Sequence, residues 1–175
     1  MTWLAKLIFI RLMGWKIEGD FPKLNKFIIA VVPHTRNLDF LVGVLTRTVL
    51  NEEINFIGKK ELFNPFTGWF FTAMGGSPIN RVTNENKVNT ITEIFNQRER
   101  FRLAIAPEGT RKKVDRWKTG FYHISVKASV PILLVNFNYK EKKVIFLKLF
   151  YPTGNLKADL KLMEDIFIKV TQVKS

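Results

Sequence analysis

Along this chain, apolar runs alternate with segments whose apolar residues recur every three to four positions. Residues 27–32, 103–106, 132–137 and 144–150 are the apolar runs, broken only at Asn136 and Lys148, which predicts buried strands, and 54–57 is a weaker fifth. Between them, residues 40–50 read as a helix. Residues 85–100 place Val88, Ile91, Ile94 and Phe95 on one helical face, with Thr83 or Asn84 as the N-cap. Residues 121–128 are a shorter helix, ended by Val130-Pro131. Leu160, Met163, Ile166, Phe167 and Val170 mark a last helix by their spacing. Strands separated by helices predict an α/β fold: a single domain with a central, mostly parallel sheet flanked by helices.

Ahead of the first strand, residues 3–15 form an apolar stretch with Lys6 and Arg11 inside it and no small-residue cleavage site, which argues against a secretory signal. As a helix it reaches about 20 Å, short of the ~30 Å hydrocarbon core of a bilayer. Two readings stay open. One is a helix packed across the domain with its basic ends snorkelling; the other, favoured, is a monotopic membrane-surface helix flanked by Trp3 and Trp15. The expected organisation is therefore a membrane-associating helix over residues 1–16 and a folded domain over 17–175. Residues 62–74 are too greasy for a solvated loop and, with Pro65 and Gly68, poor as a regular helix. They are expected at a membrane-facing or acyl-binding surface, with ordinary core as the competing reading.

Composition narrows the partners. The 175 residues are 46% hydrophobic, enough for one packed core, and 28 Lys+Arg against 15 Asp+Glu give a net charge of +13. Such a field draws phosphates, nucleic acid or anionic membrane. The 16 Phe against 3 Tyr and 4 Trp favour greasy contacts and hence a membrane or acyl-chain partner. With no cysteine and only two histidines, a disulfide scaffold and a cysteine nucleophile are excluded and a metal site is not expected.

In α/β sheets reactive groups gather where strands end, which points to the turns after Val32 and after Ala106. The first holds Pro33-His34-Thr35-Arg36-Asn37-Leu38-Asp39. Five residues apart, His34 and Asp39 meet only if a turn carries the chain to a helix start near Asp39; the carboxylate can then orient one ring nitrogen and leave the other as a base. The plainer alternative is Asp39 as an N-cap and His34 as a loop residue. The second turn, Pro107-Glu108-Gly109-Thr110-Arg111, is tight and rich in donors, suited to phosphate oxygens. Gly75-Gly76-Ser77-Pro78-Ile79-Asn80-Arg81 is a third polar cluster, also ending in arginine. The run Arg111, Lys112, Lys113, Arg116, Lys118 reads first as a solvated basic loop, and His123 as a packed or surface residue.

Taken in order, His34-x4-Asp39, Gly76-x4-Arg81, Pro107-Glu-Gly-Thr-Arg111 and Val130-Pro-Ile132 resemble the four blocks of the glycerolipid acyltransferase family, over residues 26 to 137. The resemblance implies an enzyme on the cytoplasmic face of a membrane, peripheral or monotopic. It would move a fatty acyl group from acyl carrier protein or a coenzyme A thioester to a lysolipid hydroxyl, most simply that of 1-acyl-glycerol 3-phosphate, with no resident cofactor. It assigns His34 as general base, Asp39 as its orienter, Glu108 and Gly109 to the catalytic cleft, and Arg81, Thr110 and Arg111 to the substrate. Two positions depart from the family pattern: Ala106 where phenylalanine is common and Asn80 where aspartate is frequent.

Independently of the resemblance, the chain has no Gly-x-Ser-x-Gly elbow, and Ser77 has no second His-Asp pair beside it in sequence, so an acyl-enzyme has no evident nucleophile. Direct attack by the acceptor hydroxyl is expected instead. Competing readings are a different lysolipid acceptor, such as a lyso-aminolipid, and a non-catalytic module for anions or membrane. The His34-Asp39 pair discriminates against the module, which has no use for it, and a nucleic acid partner is not expected.

Overall fold

A computed structural model describes residues 2–33, 38–79, 84–110 and 116–172. Seven strands form one sheet in the order β1-β7-β6-β2-β5-β3-β4, where β1 is Lys16–Glu18, β2 Lys26–Val32, β3 Asn55–Lys59, β4 Gly76–Ile79, β5 Phe101–Ile105, β6 Ile132–Asn138 and β7 Lys143–Phe150. The expected mostly parallel α/β sheet is present: only the β6–β7 hairpin is antiparallel. The central strand β2 buries Phe27, Ile28, Ile29 and Ala30 in succession, so both of its faces meet helices.

Side-chain alternation sorts those faces. Ile28, Ala30, Leu103, Ile132 and Leu134 pack against helices α4 (Asn84–Gln97), α5 (Gly120–Ala128) and α6 (Leu156–Gln172) through Ile91, Phe95, Phe121, Ile124 and Met163. On the opposite face Phe27, Ile29, Leu133 and Val135 meet α2 (Asp39–Leu50) through Val42 and Leu45, and meet the N-terminal helix through Ala5 and Phe9. That helix starts as α1 (Thr2–Lys6) and continues in wider π-helical turns over Leu7–Leu12. The expected boundary between residues 16 and 17 falls inside β1, which pairs with β7.

Two strands escaped the hydrophobic pattern, and each for a physical reason. Three residues are too few for β1 to show alternation. Within the cluster that begins at Gly75, read from sequence only as polar and glycine-rich, Gly76–Ile79 is the edge strand β4. A Cβ on Gly75 would lie 2.4 Å from the Ile54 carbonyl oxygen and one on Gly76 2.7 Å from that of Phe71, so the glycines let this strand approach β3 and the helix α3 (Gly68–Ala73) closely. Strand β5 starts earlier than its apolar run because Arg102 is buried within it. Its Nη1 pairs with Glu52 Oε2, its Nε donates to the Leu24 carbonyl at 2.8 Å, and its guanidinium lies over Phe21 and Phe27.

At the start of α6, buried Asp159 holds the preceding loop and α5 together. It accepts hydrogen bonds from Tyr122 Oη at 2.7 Å, Thr153 N at 2.7 Å and Thr153 Oγ1 at 2.9 Å. Burial works to raise the Asp159 pKa, but these donors and the Gly154 amide outweigh it and hold the carboxyl below its ordinary range. Burial, with the Asp159 carboxylate as acceptor, pushes the Tyr122 hydroxyl up to about 12. A carboxyl depressed in the folded state stabilises above its unfolded pKa, and that contribution disappears as pH falls through the folded value. Asp159→Asn is therefore expected to cost about 1–3 kcal/mol at neutral pH, with the gap to wild type closing in acid. Thermal melts of both proteins from about pH 7 down to about pH 3 check this; a gap that stays constant contradicts it.

Candidate active site

Strands β5 and β6 flank β2 in parallel, with Ala30 level with Ile105 on one side and Val32 level with Asn136 on the other. The chain segments that leave these three strands therefore emerge side by side at one edge of the sheet. This is the crevice at the carboxyl ends of parallel strands where α/β folds place ligands. Pro33 and Pro107, where the two turns singled out by sequence begin, follow neighbouring strands there, although they stand seventy-four positions apart in the chain.

Asp39 opens α2, where the helix dipole favours a negative charge, and it is only 4% exposed. Its Oδ1 accepts a hydrogen bond from the Tyr139 hydroxyl. The N-cap position of α2 is Leu38, one residue before Asp39, and not Asp39 as the plainer alternative had it. His34 lies outside the described residues, as do Arg81 and Arg111.

The second turn is set by backbone bonds. Gly109 N donates to the Ala106 carbonyl at 3.0 Å, closing the turn, and Lys118 N donates to the Pro107 carbonyl at 2.8 Å, tying the start of α5 to it. Pro107 is buried, Glu108 and Thr110 are half-buried, and Gly109 is exposed. Gly109 is favoured as glycine by its φ of +62°, and the flexible Lys118 side chain passes over it, with Cδ 2.6 Å from where a Cβ would sit. Lys118 is thereby laid across the turn, the one basic residue of the run 111–118 that the described geometry puts against it.

Two hollows adjoin this turn from opposite faces of the sheet, and Ile105 and Ala106 line both. Between α2 and the sheet lies an apolar cavity of ≈ 280 Å³, bounded by Asp39, Phe40, Gly43, Ile57 and Met74 and reaching Arg47. From Asp39 to Arg47 is about 12 Å along the helix. Against the other face, a wider groove of ≈ 900 Å³ runs between α4 and α5, floored by Ile91 and Phe121 and edged by Lys87, Lys118 and Lys127. His123 stands on its rim, exposed, as the surface reading expected. Ser77 lies elsewhere, on the edge strand β4, where Arg98 Nη2 donates to its Oγ at 3.4 Å.

The stretch 62–74 divides between the two readings given to it. Met74 lines the apolar cavity, and Phe71 packs on Phe40 and Phe63, whereas Phe66 and Trp69 are 88% and 71% exposed. The N-terminal helix divides too. Trp3 is 73% exposed and Leu4, Ile10 and Leu12 also face outward. Trp15, expected at the membrane interface, is instead buried among Phe9, Phe137 and Tyr139, because the chain has turned into β1 by that point. Thr2 and Thr72 border the same hollow, so the outward apolar residues of both segments lie on neighbouring parts of the surface. Among the described residues no helix is long and apolar enough to cross a membrane.

Sequence reasoning missed two residues of the crevice. Asn136 is buried and donates from Nδ2 to the Val32 carbonyl at 3.2 Å, holding the end of β2. A single polar residue inside the apolar run 132–137 was a signal available for it. Tyr139 had no local signal, since it follows the strand in a hairpin turn and reaches Asp39 only through the fold.

A mostly parallel sheet covered on both faces, with a buried carboxylate and a glycine turn at strand ends beside an apolar cavity, places the chain among the α/β proteins that gather polar residues at the carboxyl ends of their strands. Within that class the chain belongs to the acyltransferase family, whose model matches residues 16–138. It is 30% identical over 142 residues to the 1-acyl-sn-glycerol-3-phosphate acyltransferase of Escherichia coli (strain K12), covering 76% of this chain and 57% of that one. It is 31% identical over 136 residues to the enzyme of the same name from Haemophilus influenzae, covering 71% and 54%. The chain thus spans little more than half the length of these relatives. Its fold matches the crystal structure of the 1-acyl-sn-glycerophosphate (LPA) acyltransferase PlsC from Thermotoga maritima, with a TM-score of 0.66 and 21% identity over 99% of this chain and 78% of that one.

Proposed function

We propose that this protein transfers a fatty acyl group from an acyl thioester, of acyl carrier protein or coenzyme A, to the free hydroxyl of 1-acyl-glycerol 3-phosphate. The observation that carries the proposal is the buried Asp39 carboxylate, five residues after His34, lining an apolar cavity that also reaches Ala106 at the start of the Glu108-Gly109 turn. His34 takes the proton of the acceptor hydroxyl as that oxygen attacks the thioester carbonyl. The tetrahedral oxyanion then collapses, the carbon–sulfur bond breaks, and the thiolate takes the proton from the imidazolium. Asp39 orients the ring and stabilises its charged form, a division of labour known from histidine–carboxylate pairs. The thiol leaves and no covalent acyl-enzyme forms.

The cavity along α2 fits the acyl chain, because its lining is mostly apolar over two helical turns and nothing lies within 4 Å of a Cβ built on Gly43. The anionic acceptor suits the Arg81 and Arg111 positions and the net charge of +13. The protein rests on the membrane surface through Trp3, Phe66 and Trp69, whose exposed rings are of the kind that settle at lipid interfaces. Attraction of the basic surface to anionic lipid adds to that partitioning.

Three outcomes are expected. His34→Ala loses at least about a hundredfold in turnover, read by mass spectrometry of the lipid product from acyl thioester and lysophosphatidic acid, while circular dichroism stays unchanged; turnover within a few-fold of wild type refutes the base. Gly43→Leu fills the cavity and moves donor preference to shorter acyl chains in a competition between thioesters. If its preference matches wild type, the acyl chain lies elsewhere. Replacing Trp3, Phe66 and Trp69 together by Ser weakens sedimentation with anionic vesicles and leaves the melting temperature within a few degrees, as exposed side chains should; undiminished sedimentation moves the membrane contact to another surface.

A further inference from the structure

We infer that Tyr139 is a positioning residue for the acyl transfer, acting through Asp39, and that the N-terminal segment holds it in place. The inference rests on the His34-Asp39 reading above. The Tyr139 hydroxyl donates to Asp39 Oδ1 across the crevice, from a residue a hundred positions further along the chain. An aspartate side chain has two torsions, so fixing one oxygen sets where the other stands. A donor to a charged acceptor in a mostly buried site is among the stronger hydrogen bonds a protein makes.

The rest of the molecule is arranged to keep that hydroxyl still. Tyr139 is the first residue of the turn between β6 and β7, whose register is fixed by the pairing of Asn138 with Lys143. Glu141 N donates to Asn138 Oδ1 at 3.0 Å across this turn, and Lys142 takes a left-handed φ of 51°. The phenol ring is held edge to face by Trp15, with centroids 5.0 Å apart and planes at 89°. Next to that indole, Lys16 N donates to the Lys142 carbonyl at 2.9 Å, and Lys143 Nζ pairs with Glu18 and Glu141 at 2.7 and 2.9 Å. Phe9 of the N-terminal helix stacks on the other side of Trp15, centroids 6.1 Å apart. The helix proposed to lie on the bilayer is thus joined to the carboxylate by two consecutive aromatic contacts, Phe9–Trp15 and Trp15–Tyr139, and one hydroxyl.

Tyr139→Phe keeps the ring and removes the donor. We expect kcat to fall about tenfold to a hundredfold, the range of one hydrogen bond to a charged group, with KM for donor and acceptor within twofold of wild type. A change carried by folding or substrate binding moves the melting temperature or KM instead and overturns the proposal. Combined with Asp39→Asn, Tyr139→Phe should add no further loss, because it acts through a carboxylate already replaced; multiplicative losses show an independent role and overturn it. Trp15→Phe should lower kcat less than Tyr139→Phe and add nothing in the Tyr139→Phe background, and an equal loss in that background shows that Trp15 does not act through Tyr139. If His34→Ala is inactive while Tyr139→Phe turns over like wild type, the positioning role alone fails. If His34→Ala itself turns over, the base reading fails and this inference with it.

Discussion

The constraint on which the structure depends is the burial of β2 on both faces. Four successive side chains, Phe27 to Ala30, have no access to water, so nothing polar can be placed along the strand without a large desolvation cost. Polar chemistry is displaced to where the strand ends. Because β5 and β6 run parallel to β2 and in register with it, their ends coincide, and three separate stretches of chain deliver their polar residues to one crevice. The proposed active site is in this sense a consequence of the core.

The same constraint explains why the site is built from two layers of support. Asp39 stands at the start of a helix whose inner face, Val42 and Leu45, is packed on the sheet, so the backbone under the carboxylate cannot drift. The Ala106-to-Gly109 turn is held by its own closing bond and by the amide of Lys118. Between these two fixed elements the sheet leaves an apolar cavity on the α2 face, and the family's common phenylalanine before Pro107 is here an alanine that borders both hollows. Small side chains at Gly43 and Ala106 keep that space open, where larger ones would close it.

The N-terminal segment has a double character. Its outward residues are large and apolar, suited to a lipid surface, while Ala5, Phe9 and Trp15 belong to the core beneath α2 and the sheet. A helix of that kind is fixed to the domain on one side and presents apolar side chains on the other. Trp15 illustrates how a residue type is ambiguous until its surroundings are known: tryptophan suits an interface with lipid, yet here burial among three aromatic rings stabilises it more fully.

Taken by itself, the sequence determined the fold class, five of the seven strands and the helices that cover them, since burial writes its period directly into the order of residues. It also singled out Asp39, Glu108 and Gly109, because carboxylates and a glycine at strand ends are rare enough to stand out. Only the tertiary structure decided that β4 is a strand, since its glycines answer to the Ile54 and Phe71 carbonyls, and that Arg102 is interior, since its partner Glu52 lies fifty residues away. It alone brought Tyr139 to Asp39, a hundred residues apart in the chain. Periodicity reports which face of an element is buried and is silent about which element will stand opposite, so contacts between distant loops become visible only when strand order and register are fixed.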